Sequence, residues 1–299
     1  MQYQYFICDV FTSKRFGGNQ LAVLPDARGL SGRQMQQVAR EFNFSETTFV
    51  LPPEAGHTKR VRIFTPATEV PFAGHPNIGT AFVLAGDGAF GDIGDQATVT
   101  FEEKAGLVAV EIQRRGESGF WCELTAPQGL TLGKQLPPGE AAAVLSLPPD
   151  AVSTAVHPPS EASVGLHFLI VELTGLDALA QAQMNLARVE RLQKNGITPD
   201  VLLYTRNTGD ETIRARMFAP FDGVPEDPAT GSANCALAAL LSHCDEAQDR
   251  DFEFRIVQGV EMGRPSYLDA RARKRGGEII ETRIGGDCVL VASGHIEVD

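Results

Sequence analysis

Glu46, His75 and Asp227 are the side chains of this chain best suited to acid–base work on a small molecule, and Gly74, Gly231 and Ser232 stand beside two of them. Glu46 lies in Phe44-Ser45-Glu46-Thr47-Thr48-Phe49-Val50, a mostly apolar, β-prone run. Burial there would raise its pKa toward neutrality, where a general base works best. The same residue could instead face solvent from a strand or serve as the structural partner of an arginine. His75 and Asp227 occupy Gly- and Pro-rich turns that open into apolar stretches. The first turn, Gly74-His75-Pro76-Asn77-Ile78-Gly79, runs into Thr80-Ala81-Phe82-Val83-Leu84. The second, Asp227-Pro228-Ala229-Thr230-Gly231-Ser232, runs into residues 233–241. If those stretches are helices, unpaired backbone N–H groups and the positive end of the helix dipole make each turn a cradle for a carboxylate. Each turn could equally be a plain helix cap. Two such cradles facing one another would form a cleft for a small acid, with titratable groups at its mouth.

The elements that must position these residues come in two copies. Arg62-Ile63-Phe64-Thr65-Pro66 with Val70-Pro71 is echoed by Arg216-Met217-Phe218-Ala219-Pro220 with Val224-Pro225, every matched pair 154 positions apart. Each copy leads into one of the turns above, so the chain reads as two related halves. Both stretches beyond the turns are hydrophobic nearly all round, which marks a helix buried on every side. Short strands are predicted at 3–11, 21–24, 47–51, 61–64, 97–101 and 107–112. A second set follows at 166–173, 201–205, 212–218, 252–258, 278–284 and 288–291. Strands wrapped about a central helix make an α+β arrangement. A surface helix is predicted over 32–42, opened by Ser31 with Gln34 three residues on, a capping box. Another is placed near 176–195, and a linker at 126–138, where Pro and Gly accumulate.

The composition narrows the function. The 299 residues suffice for two cores, and 43% hydrophobic with 21% charged residues is an ordinary globular balance. A net charge of -12 repels phosphate backbones, so nucleic acid is not expected. No stretch reaches the roughly 20 apolar residues of a spanning helix and no leader is evident, so a cytoplasmic protein without a membrane partner is expected. The cysteines at 8, 122, 235, 244 and 288 include no CxxC, and no two of the six histidines stand at i, i+4. Neither a disulfide framework nor a metal site is expected. Gly86 to Gly91 spells GxGxxG, but it follows a helix and leads to a strand, the reverse of a dinucleotide site. The basic run Arg271 to Arg275 reads as a solvated hairpin tip, with a local anion patch as the alternative.

Taken in order, Asp9-Val10-Phe11-Thr12 with Gly18-Asn19, Ser45-Glu46-Thr47-Thr48-Phe49, Pro71-Phe72-Ala73-Gly74-His75-Pro76 and residues 224–233 resemble the PhzF-like phenazine biosynthesis family. The resemblance implies the diaminopimelate epimerase-like fold, two pseudo-symmetric halves, each a strongly curved mixed sheet around a central helix. It places the halves at 1–125 and 126–288, with a C-terminal strand from about 289 to 299 returning to the first half. It further implies a homodimer and a cofactor-independent isomerase of a small amino or hydroxy acid, such as trans-2,3-dihydro-3-hydroxyanthranilate. By the resemblance Glu46 transfers the proton between ring carbons, while His75 and Asp227 hold the amino and enol groups. Gly74, Gly231 and Ser232 then line the carboxylate. A binding protein that kept the fold and lost the reaction is the alternative. Related epimerases carry a cysteine in each turn; Ala73 and Thr230 stand there instead, which disfavours a two-thiol racemase. Asn77 and Asn234 depart from many relatives, so the substrate can differ from the phenazine precursor.

Overall fold

The computed structural model describes residues 1–116, 119–210 and 212–299, and the chain divides into two compact units, Met1–Thr125 with Gly285–Asp299, and Ala126–Ile284. Unit 1 contains β1 (Gln2–Val10), β2 (Asn19–Leu24), α1 (Gly32–Phe42), β3 (Glu46–Leu51), β4 (Lys59–Phe64), β5 (Glu69–Val70), α2 (Gly74–Gly86), β6 (Gln96–Glu103), β7 (Gly106–Arg115) and β8 (Gly119–Thr125). Unit 2 contains β9 (Thr131–Gln135), α3 (Pro138–Val144), β10 (Ser160–Ser163), β11 (His167–Glu172), α4 (Leu176–Gln181), α5 (Leu186–Lys194), β12 (Val201–Thr205) and β13 (Ile213–Ala219). It continues with β14 (Val224–Asp227), α6 (Gly231–Cys244), β15 (Arg250–Gln258) and β16 (Ser266–Arg275). The last strand, β17 (Glu278–Glu297), starts in unit 2 and ends in unit 1. The mixed α/β architecture expected from the sequence is present in both units.

In unit 1 the helix expected to be buried all round is α2, in which every residue from Gly74 to Ala81 is buried. It packs against β1, β2, β3, β7 and β8. A second cluster joins Met35, Val38 and Ala39 of α1 to Leu24, Phe49 and Phe64. Strands packed by helices on both faces carry continuous apolar runs in place of alternation, as Leu21-Ala22-Val23-Leu24 of β2 does. The capping box of α1 forms as expected: Ser31 accepts from the Gln34 backbone and Gln34 reaches back to the Ser31 N–H. In unit 2, α6 is the buried helix, and a further cluster packs α3 and α5 on β11 and β12.

The sequence echo has a structural cause. In both copies the arginine lies over the phenylalanine two residues on, at 5.1 Å for Arg62 on Phe64 and 4.8 Å for Arg216 on Phe218. Each then grips a glutamate of the next strand through two hydrogen bonds, Arg62 to Glu69 at 2.8 and 2.9 Å and Arg216 to Glu226 at 2.7 and 3.0 Å. The glutamates are 157 positions apart, not 154. Ile63 pairs with Val70 and Met217 with Asp227, so Val70 corresponds to Asp227 and the matched Val-Pro dipeptides are not structural equivalents. The short 3-10 turn Pro220–Asp222 followed by Gly223 sits where the second copy grows longer.

Other expectations need correction. The helix near 176–195 is two helices, because Arg216 takes the carbonyls of Leu179, Ala180 and Ala182 at the end of α4, and Asn185 then caps α5. The stretch 126–138 is no bare linker: β9 lies within it and pairs antiparallel with β10. The strands expected at 278–284 and 288–291 are one continuous strand, β17, in which Gly285 lets the backbone pass Trp121, whose ring atoms an added Cβ would meet at 2.5 Å. The basic run falls in β16, where Arg273 and Arg275 pair with Asp251, but Lys274 is buried and donates to the carbonyls of Ser242, His243 and Asp245 at the end of α6. It is a helix C-cap hidden within an otherwise solvated hairpin.

Gly79 shows how tightly α2 is held. A Cβ there would lie 2.6 Å from Leu21 Cδ2 and 2.7 Å from Val10 Cγ2. Helix propensity alone favours alanine by about 0.5–1 kcal/mol, whereas overpacking costs about 1–3 kcal/mol. Gly79→Ala should therefore lower the urea midpoint, and an unchanged or raised midpoint would show that the sheet can move away from α2.

Candidate active site

Glu46 is the first residue of β3, and β3 runs parallel to β2 with Glu46 opposite Leu21. His75 is the second residue of α2. This register brings the Glu46 carboxylate 3.5 Å from His75 Nε2, with the two side chains only 18% and 4% exposed. The contact is thus largely out of water, where an electrostatic interaction is stronger than on a surface. The other ring nitrogen, Nδ1, lies 3.3 Å from Asn19 Nδ2, and Asn19 Oδ1 accepts from the Ser45 hydroxyl at 3.0 Å. Burial pushes the His75 pKa down to about 3, against the opposing pull of a hydrogen bond with the Gln20 backbone. The ring is therefore neutral at physiological pH. It offers one N–H and one lone pair and no positive charge.

Neither buried helix is capped by its own N-cap side chain. Ala73 has no group to offer. Thr230 has a hydroxyl, but it is donated to Asp227 Oδ2 and also meets Gln258 Nε2. The leading N–H groups at Gly74 and Gly231 thus keep the capacity to bind an anion. In unit 2 Asp227, the last residue of β14, is buried, while Ser232 in the first turn of α6 is partly accessible. Gln258 ties this turn together. Its Nε2 donates to the Asp227 carbonyl at 2.7 Å, and its Oε1 accepts from Asn234 Nδ2 at 2.7 Å and from the Thr230 N–H at 3.3 Å.

The sequence-predicted residues therefore fall into two sets: Glu46, Gly74 and His75 in unit 1, and Asp227, Gly231 and Ser232 in unit 2. Sequence reasoning overlooked Asn19, Ser45 and Gln258. The first two stand inside motifs quoted above, so a signal existed. Gln258 ends a strand 31 residues beyond Asp227 and carries no local signal. Among the described residues no group of three or more His, Cys, Asp or Glu is gathered as a metal site would require, and no helix is long and apolar enough to cross a membrane. Burial pushes the thiols of Cys8, Cys122 and Cys288 up, which makes them poor nucleophiles.

Two buried helix starts, one set beside a carboxylate and an imidazole, are an arrangement suited to acid–base work on a small anion. The chain is a member of the phenazine biosynthesis-like protein family (PhzC–PhzF), whose family model matches residues 8–294. It is 36% identical over 300 residues to an uncharacterized isomerase of Mesorhizobium japonicum, covering 98% of each chain. It is 34% identical over 300 residues to the trans-2,3-dihydro-3-hydroxyanthranilate isomerase of Pseudomonas fluorescens, covering 98% of this chain and 99% of the relative. A crystal structure of a PhzF-family phenazine biosynthesis protein from Bacillus anthracis superposes with a TM-score of 0.88 at 25% identity, over 99% of both chains.

The neutrality of His75 has a measurable consequence. Unfolded, the ring binds a proton below about pH 6.5; folded, it does so only near pH 3. Its contribution to stability is intact above 6.5 and is lost as pH falls toward 3. Linkage gives about 2 kcal/mol lost between pH 7 and pH 5. Urea unfolding at the two pH values should show wild type losing about that much more stability than His75→Gln. Equal losses would mean that His75 is not held neutral.

Proposed function

We propose that this protein isomerises a small carboxylic acid by moving a proton between two carbons, with Glu46 as the acid–base group. The observation that carries the proposal is the buried contact of Glu46 with the neutral His75 at an uncapped helix start. The Pseudomonas fluorescens relative, named for its action on trans-2,3-dihydro-3-hydroxyanthranilate, supports the substrate class. In this reading the Glu46 carboxylate takes a proton from one carbon of the bound acid, the electron pair left behind spreads through the adjoining double bond, and the carboxylic acid returns the proton to a second carbon. Nothing is oxidised or reduced, and Glu46 ends as it began. A single base implies that the proton leaves and arrives on the same face of the substrate. Ala73, where a two-base epimerase would carry a thiol, fits that restriction.

His75, fixed by Asn19, orients the substrate's polar group and the carboxylate that acts on it. The N–H groups at Gly74 hold the substrate's own carboxylate. That Asp227, Gly231 and Ser232 serve the same substrate rests on the family resemblance, as do the homodimer and the independence from any cofactor. With a chain of net charge -12, attraction of an anion must come from local N–H groups and not from the overall field.

The test is solvent exchange. Incubated in D₂O with trans-2,3-dihydro-3-hydroxyanthranilate, the wild type should place deuterium at the carbon that gains the proton. Glu46→Gln should lower the rate by roughly 10²–10⁴-fold, the usual worth of a positioned acid–base group. Uptake undiminished by the substitution would remove Glu46 from the mechanism. Uptake absent from that compound but present with another small acid would correct the substrate and leave the reaction type standing.

A further inference from the structure

The two units treat the same structural position differently. Strand β6 runs parallel to β4, with Lys59 opposite Phe101 and Arg60 opposite Glu102. Strand β15 runs parallel to β13 in the same way, with Ile213 opposite Ile256, Arg214 opposite Val257 and Ala215 opposite Gln258. The next step of the first ladder therefore makes Glu103 the counterpart of Gln258. The helix starts agree: Asn77 Nδ2 donates to the Ala73 carbonyl and Asn234 Nδ2 to the Thr230 carbonyl, both at 2.9 Å. Gln258 is wholly buried, and its amide offers a donor and an acceptor that are both used to brace the turn carrying Asp227.

Glu103 holds the same place in the ladder, is only part-buried where Gln258 is wholly so, and carries a different head group. Both of its carboxyl oxygens are buried without a well-formed hydrogen bond, and so is Asn77 Oδ1. An ionised carboxylate has only acceptors, so it cannot satisfy Asn77 Oδ1; a neutral carboxylic acid has one donor and one acceptor, as the amide of Gln258 does. We propose that Glu103 is a positioning residue of the His75 turn, acting as a neutral acid that takes in unit 1 the part Gln258 takes in unit 2, with its O–H given to Asn77.

The charges around Glu103 leave it in that form. From β4 come Arg60 and Arg62, from β5 Glu69, from the preceding loop Glu54, and from β6 itself Glu102 and Lys104, all lining one cavity with it. Arg62 is committed to Glu69 and Arg60 to Glu54, while Glu102 accepts the backbone N–H groups of Glu54, Ala55 and His57. From α2 it meets the side chain of Asn77. Burial pushes the Glu103 carboxyl up to about 8, with the Asn77 amide pulling the other way. Ionisation above that pH removes the donor and frees the turn on which His75 stands.

This inference rests on the proposed role of His75, so two readouts that need no turnover are used alongside the pH–rate profile. First, the His75 ring resonances of wild type should move with a midpoint near pH 8. In Glu103→Gln they should stay at the wild-type low-pH position, and in Glu103→Ala they should be displaced throughout. Second, the folded acid keeps its proton to about pH 8, whereas the unfolded chain releases it near 4.5. Wild type should therefore lose thermal stability relative to Glu103→Gln as pH rises from 4.5 to 8, with no further loss above. With the isomerase assay running, an alkaline fall in rate near pH 8 should be absent from Glu103→Gln. Resonances that do not move in wild type, or a Glu103→Gln protein as displaced as Glu103→Ala, overturn the proposal. If Glu103→Ala does not fold, the comparison of wild type with Glu103→Gln decides alone. Failure of Glu46→Gln to slow exchange would strike the proposed reaction while leaving both of these readouts intact.

Discussion

Each unit of this protein buries the beginning of a helix, and a helix beginning is the part of the element least suited to burial. Its first N–H groups have no partners within the helix, and placing them away from water is costly unless something else accepts from them. In most helices a serine, threonine or aspartate at the N-cap settles the matter, as Ser31 does for α1. In α2 and α6 it does not, because Ala73 lacks a side-chain acceptor and the Thr230 hydroxyl is engaged by Asp227 and Gln258. The polar side chains gathered around both starts follow from that constraint. They brace the turn through its carbonyls and its neighbouring side chains.

The bracing uses one plan twice. An arginine stacked over a phenylalanine grips a glutamate on the following strand and so sets the approach of the chain to the turn. An asparagine in the first helical turn ties back to the N-cap carbonyl. A residue at the end of the next strand but one closes the arrangement from outside, an amide in one unit and an acid in the other. Where the copies diverge they take up different chemistry. Unit 1 places His75 against Glu46, and unit 2 places the threonine-bound Asp227 at the matching strand end.

Part of this was legible in the residues. The Arg-x-Phe-x-Pro echo announced two related halves, because stacking and ion pairing need those residue types at those intervals. The all-round apolar stretches after Gly79 and Ser232 announced buried helices, and Glu46 and His75 stood out as polar groups in apolar company. Where the repeat shifts from 154 to 157 was not legible, since Val70-Pro71 and Val224-Pro225 match in spelling while the ladders pair Val70 and Asp227 with corresponding residues. Nor was the unbroken β17, because Gly285-Gly286 reads as a turn until Trp121 is seen against it.

What the sequence by itself determined is local or periodic: helix and strand tendencies, the capping box, the duplicated motif and the residue types present at each turn. These depend on interactions among near neighbours, which spacing along the chain expresses directly. What only the tertiary structure decided is which distant groups meet: Glu46 with His75, Asn19 with the far nitrogen of that ring, Gln258 with Asp227, and Glu103 with Asn77. The reason is physical. Strand register sets those meetings, and register is settled by how buried side chains pack across the sheet and by which polar groups must be satisfied there, neither of which a separation in sequence records.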